Sequence, residues 1–178
     1  HEAVLADWTE AWRNSESAEI RKVEAIGHRV VHGGESFRTA AAIDLEVLGR
    51  IEAVSHQAPL HNPANLAGIR ALSAAFPELP QVAVFDTAFH QSMPAWAAQY
   101  AIDGEWAQKH QVRRYGFHGT AHRYLSERYD TLTGTPNRQS KLISLQLGNG
   151  CSATAVQAGE SVDTSMGLTP LEGLMMGT

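Results

Sequence analysis

Two short segments carry the residue types that narrow the chemistry most. Tyr115-Gly116-Phe117-His118-Gly119-Thr120-Ala121-His122 sets two imidazoles beside glycines, which let a substrate approach the backbone closely. Leu147-Gly148-Asn149-Gly150 is a glycine turn directly after an apolar strand, Lys141-Leu142-Ile143-Ser144-Leu145. Unshielded N–H groups in such a turn form a nest for phosphate oxygens. A histidine-bearing loop followed by strand, glycine turn and strand points to phosphoryl chemistry. Neither segment does so alone, because Asn-Gly is also the commonest two-residue hairpin turn.

Other residues add to the set without deciding it. Arg29, in Gly27-His28-Arg29-Val30-Val31-His32-Gly33-Gly34-Glu35, sits inside an apolar strand, where burial demands an anionic partner. That partner is either an internal carboxylate or a carboxylate or phosphate ligand, for which a planar, permanently charged fork is suited. Asp86 follows a strand, where a carboxylate either faces a crevice or caps a helix. Magnesium in phosphoryl transfer is often held by one or two carboxylates plus phosphates and waters. His118 and His122 share a helical face. That pairing and the His32-Gly-Gly-Glu35 spacing leave a metal reading open. The segment from Asp163 to Gly173 combines hydroxyls, glycines and Pro170 beside apolar residues, as in a loop shaped around a ligand.

The elements that must position these residues alternate between helical and strand periodicity, an α/β pattern. Residues 2–13 form an amphipathic helix with Val4, Leu5, Trp8 and Trp12 on one face. A buried strand runs from Val23 to Val31. A helix from Asp44 to Ser55 carries a stripe of Leu45, Leu48, Ile51 and Val54. Asn62 is placed as the N-cap of the next helix, with Pro63 at its first position and Leu66, Ile69, Leu72 and Phe76 on its core face. Gln81–Phe85 is a strand leading to Asp86, and a helix extends from Gly119 to Asp130. Strands 141–147 and 152–157 make a hairpin around the glycine turn. Strand-end loops in α/β sheets gather around one crevice, so the chemical residues are expected to converge there.

Bulk properties exclude several classes. A formal net charge of -5 argues against a general nucleic-acid binder. No apolar run approaches the ~20 residues that span a bilayer. With 43% hydrophobic residues the chain has ample core material, and its one cysteine, Cys151, fits a reducing compartment. A cytoplasmic protein without membrane partners is the expectation. The chain opens on His1 rather than methionine and closes on an apolar Met175-Met176-Gly177-Thr178, which reads as an internal piece of a longer protein.

Taken in order, Gly27–Glu35, Ala58–Pro63, Val84–Pro94, Arg114–His122, Leu147–Gly150 and Asp163–Thr178 resemble acetate kinases, of the sugar-kinase/actin/heat-shock ATPase superfamily. The resemblance implies a fragment of a two-domain, ribonuclease H-like (actin-like ATPase) fold with a cleft between domains. Residues 1–88 would be most of the first domain and 89–178 the beginning of the second. It implies reversible transfer of the γ-phosphoryl of ATP to acetate, with Mg2+ or Mn2+, in a homodimer. Arg29 would meet the acceptor carboxylate and the transferring phosphoryl. Asp86 would lie near the metal and acceptor, and His118 would stabilise the phosphoryl in flight. Gln146, Leu147, Gly148, Asn149 and Gly150 would form the phosphate-binding loop. His61 would belong to the cleft wall, and Val31, Leu60, Phe117 and Pro170 would enclose the acyl methyl group.

Three departures bear on that reading. Gln146 stands where the family commonly has histidine, and glutamine donates a hydrogen bond without adding charge. The family's N-terminal Asn-x-Gly-Ser-Ser-Ser segment is absent. Beyond Thr178 the family continues with a catalytic arginine, the adenosine pocket and a metal-binding glutamate. The chain as written is therefore expected to be nearly inactive alone. Two other classes stay open: a short relative that binds a carboxylate or phosphate without turnover, and a metallohydrolase using His32, Glu35 or His118. Within the family, a propionate-preferring kinase is the alternative, because one methylene in an apolar pocket is worth only about 1–3 kcal/mol.

Overall fold

A computed structural model describes residues 2–15 and 22–177, which divide into two units, His1–Val84 and Phe85–Thr178. The architecture is mixed α/β, as the alternating periodicity requires.

In the first unit, helix α1 (Glu2–Arg13) packs on α3 (Asn62–Ala75), and the rings of Trp8 and Trp12 lie 4.4 Å apart. The side chains of Val4 and Leu5, expected on the same face, lie outside the described residues. Strand β3 (Gln81–Phe85) runs between β1 (Ile26–Val30) and the two-residue β2 (Ala41–Ala42), with Ala41 opposite Ala83 in antiparallel register. β3 buries Gln81, Ala83 and Phe85 in strict alternation. β1 is shorter than the Val23–Val31 strand expected and only its end, Val30, is fully buried.

Helix α2 (Leu45–Ala53) starts where Asp44 accepts the Val47 N–H at 2.7 Å. That cap sets the phase of the helix. Val47, Ile51 and Val54 face the core, while Leu45, at the first helical position, is exposed; the expected stripe was off by part of a turn. Pro63 falls in the first turn of α3 as expected, and Leu66 and Ile69 are buried. The cap position, however, belongs to His61. Asn62 is the first residue of the helix and is buried for another purpose, given below.

The second unit holds a 3-10 turn (Ala88–Ser92), short helices α4 (Ala95–Ala98) and α5 (Gly104–Lys109), and the long α6 (Gly119–Thr133). Its sheet is antiparallel in the order β4 (Lys141–Leu147), β5 (Cys151–Gln157), β6 (Glu160–Thr164). β6 is a strand beyond those expected from the sequence. Its signal was the Ala158-Gly159 dipeptide: both residues take positive φ (55° and 82°) between the paired Gln157 and Glu160, a two-residue turn of the I′ kind. The Gly-Asn-Gly turn is different. Leu147 pairs with Cys151, so three residues close the loop, and none of them has positive φ. It is not the Asn-Gly hairpin turn that a purely structural reading would require.

α6 buries a polar stripe, Gly119, His122 and Ser126, against β4 and the 3-10 turn, and Gly134 ends it in the left-handed region at φ 68°. On the edge strand β4, Ile143, Leu145 and Leu147 stand exposed while Ser144 is buried. Among the described residues no helix is long and apolar enough to cross a membrane.

Candidate functional site

The two segments singled out first are brought together. His118 occupies the left-handed region (φ 56°, ψ 21°) directly before α6, a conformation that costs a non-glycine residue about 1 kcal/mol or more. Such a cost persists only where surrounding structure imposes it, and here the ring is held. His118 Nδ1 lies 2.9 Å from Ser152 Oγ on β5. The opposite edge of the ring lies against the glycine turn: a Cβ at Gly150 would stand 3.0 Å from His118 Cε1 and 3.1 Å from Nε2. Gly150 is therefore the residue that lets the imidazole close on the turn.

Behind His118 stands a second imidazole. His122 is fully buried, with Nε2 2.8 Å from the same Ser152 Oγ and Nδ1 2.7 Å from Ser144 Oγ. Burial, reinforced by the neighbouring His118, lowers its pKa to about 4, so it is neutral at physiological pH. A third, His90, is also fully buried. Its Nε2 donates to the Phe117 carbonyl at 2.9 Å, and its Nδ1 therefore accepts from Ser161 Oγ at 2.8 Å. Burial lowers its pKa to about 3. The His90 and His122 rings meet edge-on, 5.9 Å between centroids. His90 is among the loop residues expected to converge on one crevice, whereas the three serines were not expected as site residues. The serines' signal was faint: single buried hydroxyls on Lys141–Leu147, Cys151–Gln157 and Glu160–Thr164.

Backbone contacts tie this cluster to Asp86. The Gly119 N–H donates to the Asp86 carbonyl at 2.8 Å, and a Cβ on Gly119 would come within 2.2 Å of that oxygen. Asp86 itself is 1% exposed at the end of β3. Gly116, at φ 69°, is as tightly set, with His90 and Thr164 where its side chain would be. The loop from Gly116 to Gly119 is thus held at both glycines, with Phe117 buried between them.

In the turn, the Gly148 N–H donates to the Gly150 carbonyl at 3.1 Å, and the Asn149 carbonyl accepts from the Gly177 N–H at 2.9 Å. A Cβ on Gly177 would stand 2.5 Å from Asn149 Oδ1. The Gln146 amide lies next to Gly148, while Leu147 is exposed. The loop carrying Pro170 is clasped from Arg114, whose Nη1 donates to the carbonyls of Thr164, Ser165 and Met166 at 3.0, 3.3 and 3.2 Å. Its Nη2 pairs with Glu172 at 2.6 Å, and Glu172 also receives the Tyr100 hydroxyl. Neither Arg114 nor Glu172 was read as functional from the sequence.

Arg29, Val31, Leu60 and His61 lie in the first unit. Arg29 is exposed on β1, which corrects the premise that this strand buries its arginine. Alternation on a half-buried strand puts His28 inward, 2.7 Å from Gln81 Oε1, and Arg29 outward. Leu60 and His61 are exposed in the turn before α3, and Val31 is buried. The strand end after Arg29 is held by α3. Asn62 accepts the His32 N–H at 3.0 Å and donates to the His32 carbonyl at 2.9 Å, and Asn65 accepts the Val31 N–H at 3.1 Å. That two-point grip, not capping, is why Asn62 is buried. His32 Nδ1 in turn accepts the Gly34 N–H at 3.0 Å, and burial lowers its pKa to about 4.

Among the described residues no three His, Cys, Asp or Glu side chains converge as metal ligands. The donor chemistry at Asp86 is a single buried carboxylate, which fits a magnesium ion completed by phosphate oxygens and water and does not fit a closed all-protein metal cage.

The sequence profile of the Acetokinase family matches residues 1–178. The chain belongs to that family. It is 61% identical over 157 residues to an acetate kinase of Streptomyces avermitilis, a match covering 88% of this chain and 39% of the relative. An acetate kinase of Lachnoclostridium phytofermentans is 54% identical across the whole chain, which covers 46% of the relative. This acetokinase-family chain thus spans less than half the length of these curated relatives. Among solved structures, an acetate kinase of Porphyromonas gingivalis superposes with a TM-score of 0.90 at 42% identity, covering 100% of this chain and 45% of that one. A propionate kinase of Francisella tularensis gives 0.89 at 51% identity, covering 99% and 44%.

Proposed function

We propose that the protein containing this chain transfers the γ-phosphoryl of ATP to acetate, forming acetyl phosphate and ADP reversibly. The observation that carries the proposal is the His118 ring held between Ser152 and Gly150, with its Nε2 edge on the glycine turn. A loose, metaphosphate-like transition state needs positioning and electrostatic stabilisation more than covalent chemistry. A preorganised imidazole set against a glycine turn suits that need.

In this reading His118 stabilises the phosphoryl in flight, and Gln146, Leu147, Gly148, Asn149 and Gly150 hold phosphate oxygens of the nucleotide. Arg29, on the outward face of β1, binds the acceptor carboxylate and the transferring group. Asp86 holds magnesium, which when bound neutralises charge on the phosphate oxygens. Val31, Leu60, Phe117 and Pro170 orient the acyl methyl end, with His61 on the cleft wall. Residues 1–88 and 89–178 belong to the two domains of a cytoplasmic homodimer. Propionate as the preferred acceptor is the second reading, favoured by the propionate kinase named above.

The test is acyl hydroxamate formation by the full-length protein with ATP, magnesium and either acid. Arg29→Ala and Asp86→Ala are each expected to abolish nearly all turnover. Normal turnover in either variant refutes the role given to that residue, and a higher kcat/KM for propionate than for acetate establishes the second reading.

A further inference from the structure

Ser152 has one hydroxyl proton and two imidazole neighbours, Nδ1 of His118 at 2.9 Å and Nε2 of His122 at 2.8 Å. It can donate to only one of them and must accept from the other. His122 is in the same position between two hydroxyls, with Ser144 Oγ on its Nδ1. Ser144, His122 and Ser152 are all buried and His122 is neutral, so the four groups form a chain in which fixing one proton fixes all the rest. The chain has two possible polarities. In one, His118 carries its proton on Nδ1 and turns a bare Nε2 lone pair toward Gly150. In the other, Ser144 donates to His122 Nδ1, His122 Nε2–H donates to Ser152, and Ser152 donates to His118 Nδ1. His118 then points an N–H at the glycine turn. With a neutral His118, only the second gives a phosphate oxygen there a donor.

We infer that Ser152 is a positioning residue that, with His122 and Ser144 behind it, fixes both the ring orientation and the tautomer of His118 so that Nε2–H faces the phosphate turn. The inference rests on the phosphoryl-transfer reading for the direction of the relay. The geometry alone requires that a direction be set. It also accounts for three polar side chains buried in a row where apolar packing would otherwise be expected, since a buried polar chain is tolerated only when every member is satisfied.

The test is solid-state 15N spectroscopy of the histidine-labelled full-length protein at pH 7.5, with the His118 signals assigned by their loss in His118→Gln. The expected result is a protonated Nε2 and a hydrogen-bonded, unprotonated Nδ1 on His118. Ser152→Ala is expected to remove the hydrogen-bond shift from Nδ1 and allow a mixture of tautomers, and Ser152→Thr to restore the native spectrum. Protonation of His118 on Nδ1 in the native protein overturns the inference, as does a Ser152→Ala spectrum identical to the native one. If Ser152→Ala does not fold, the native and Ser152→Thr spectra still decide. Failure to form acetyl phosphate sinks the proposed reaction without altering this spectrum, so the two ideas fail separately.

Discussion

Lowering the pH from 7.5 to 5 tests the buried imidazoles directly. His90, His122 and His32 have folded-state pKa values lowered by burial to about 3, about 4 and about 4, against an ordinary 6.5. The sign follows from linkage: below 6.5 the unfolded chain takes up protons that the folded chain refuses. The stability contributed by these groups is complete above about 6.5 and is lost as the pH falls toward 4, or 3 for His90. Each lost unit is worth about 1.4 kcal/mol per histidine, so at pH 5 each should have given up about 2 kcal/mol. The second unit holds two of the three and should lose about 4 kcal/mol, the first about 2. Urea unfolding of the 178-residue chain by circular dichroism, at several pH values between 7.5 and 5, measures the slope. His90→Gln should be less stable than the native chain at pH 7.5 but flatter by about 1.4 kcal/mol per pH unit below 6.5. A stability independent of pH over this range, or an unchanged slope in His90→Gln, refutes the reasoning.

Three further outcomes follow from single contacts. Asn62→Ala breaks both hydrogen bonds to the buried His32 backbone and should cost about 2–4 kcal/mol in chemical unfolding, whereas a mere helix-start residue would cost less than half of that. Gly150→Ala puts a methyl about 3 Å from the His118 ring; it should leave the melting curve close to native and cut hydroxamate formation by the full-length protein about 10-fold or more, since unaltered turnover would separate that ring from the chemistry. Ala158→Gly relieves a non-glycine residue at φ 55° in the β5–β6 turn and should raise stability by about 0.5–1 kcal/mol in the same melts; a loss would show that the turn is not strained.

Periodicity carried most of the fold. β3, α3 and the β4–β5 hairpin were legible because their alternation or their helix-start proline is local, and α6 extends past the expected Asp130 to Thr133, where Gly134, a stop that the sequence also contains, ends it. The errors arose where tertiary contact overrode local preference. Asn62 is a good cap by type, yet its amide is spent on a strand end thirty residues earlier in the chain. Arg29 looked buried because its neighbours are apolar, although a strand covered on one face turns alternate residues outward. β6 escaped because its residues are polar and its strongest mark is the two-residue turn before it. In the candidate site, His118 and the glycine turn were visible as motifs, whereas Ser144, Ser152 and Ser161 were not. A lone serine on a strand has no pattern of its own; its partner across the sheet gives it meaning.

One guanidinium, Arg114, occupies three successive carbonyls and a carboxylate across Thr164–Glu172. The kinetic consequence is that this stretch cannot fray one residue at a time. Any opening that parts Thr164–Met166 from Glu172 must release the Arg114 contacts together, so the segment should exchange its amide hydrogens as one cooperative step, not as the graded series usual for a surface loop. Lysine, a point charge without the planar fork, would hold one carbonyl at a time and turn that single step back into a graded one.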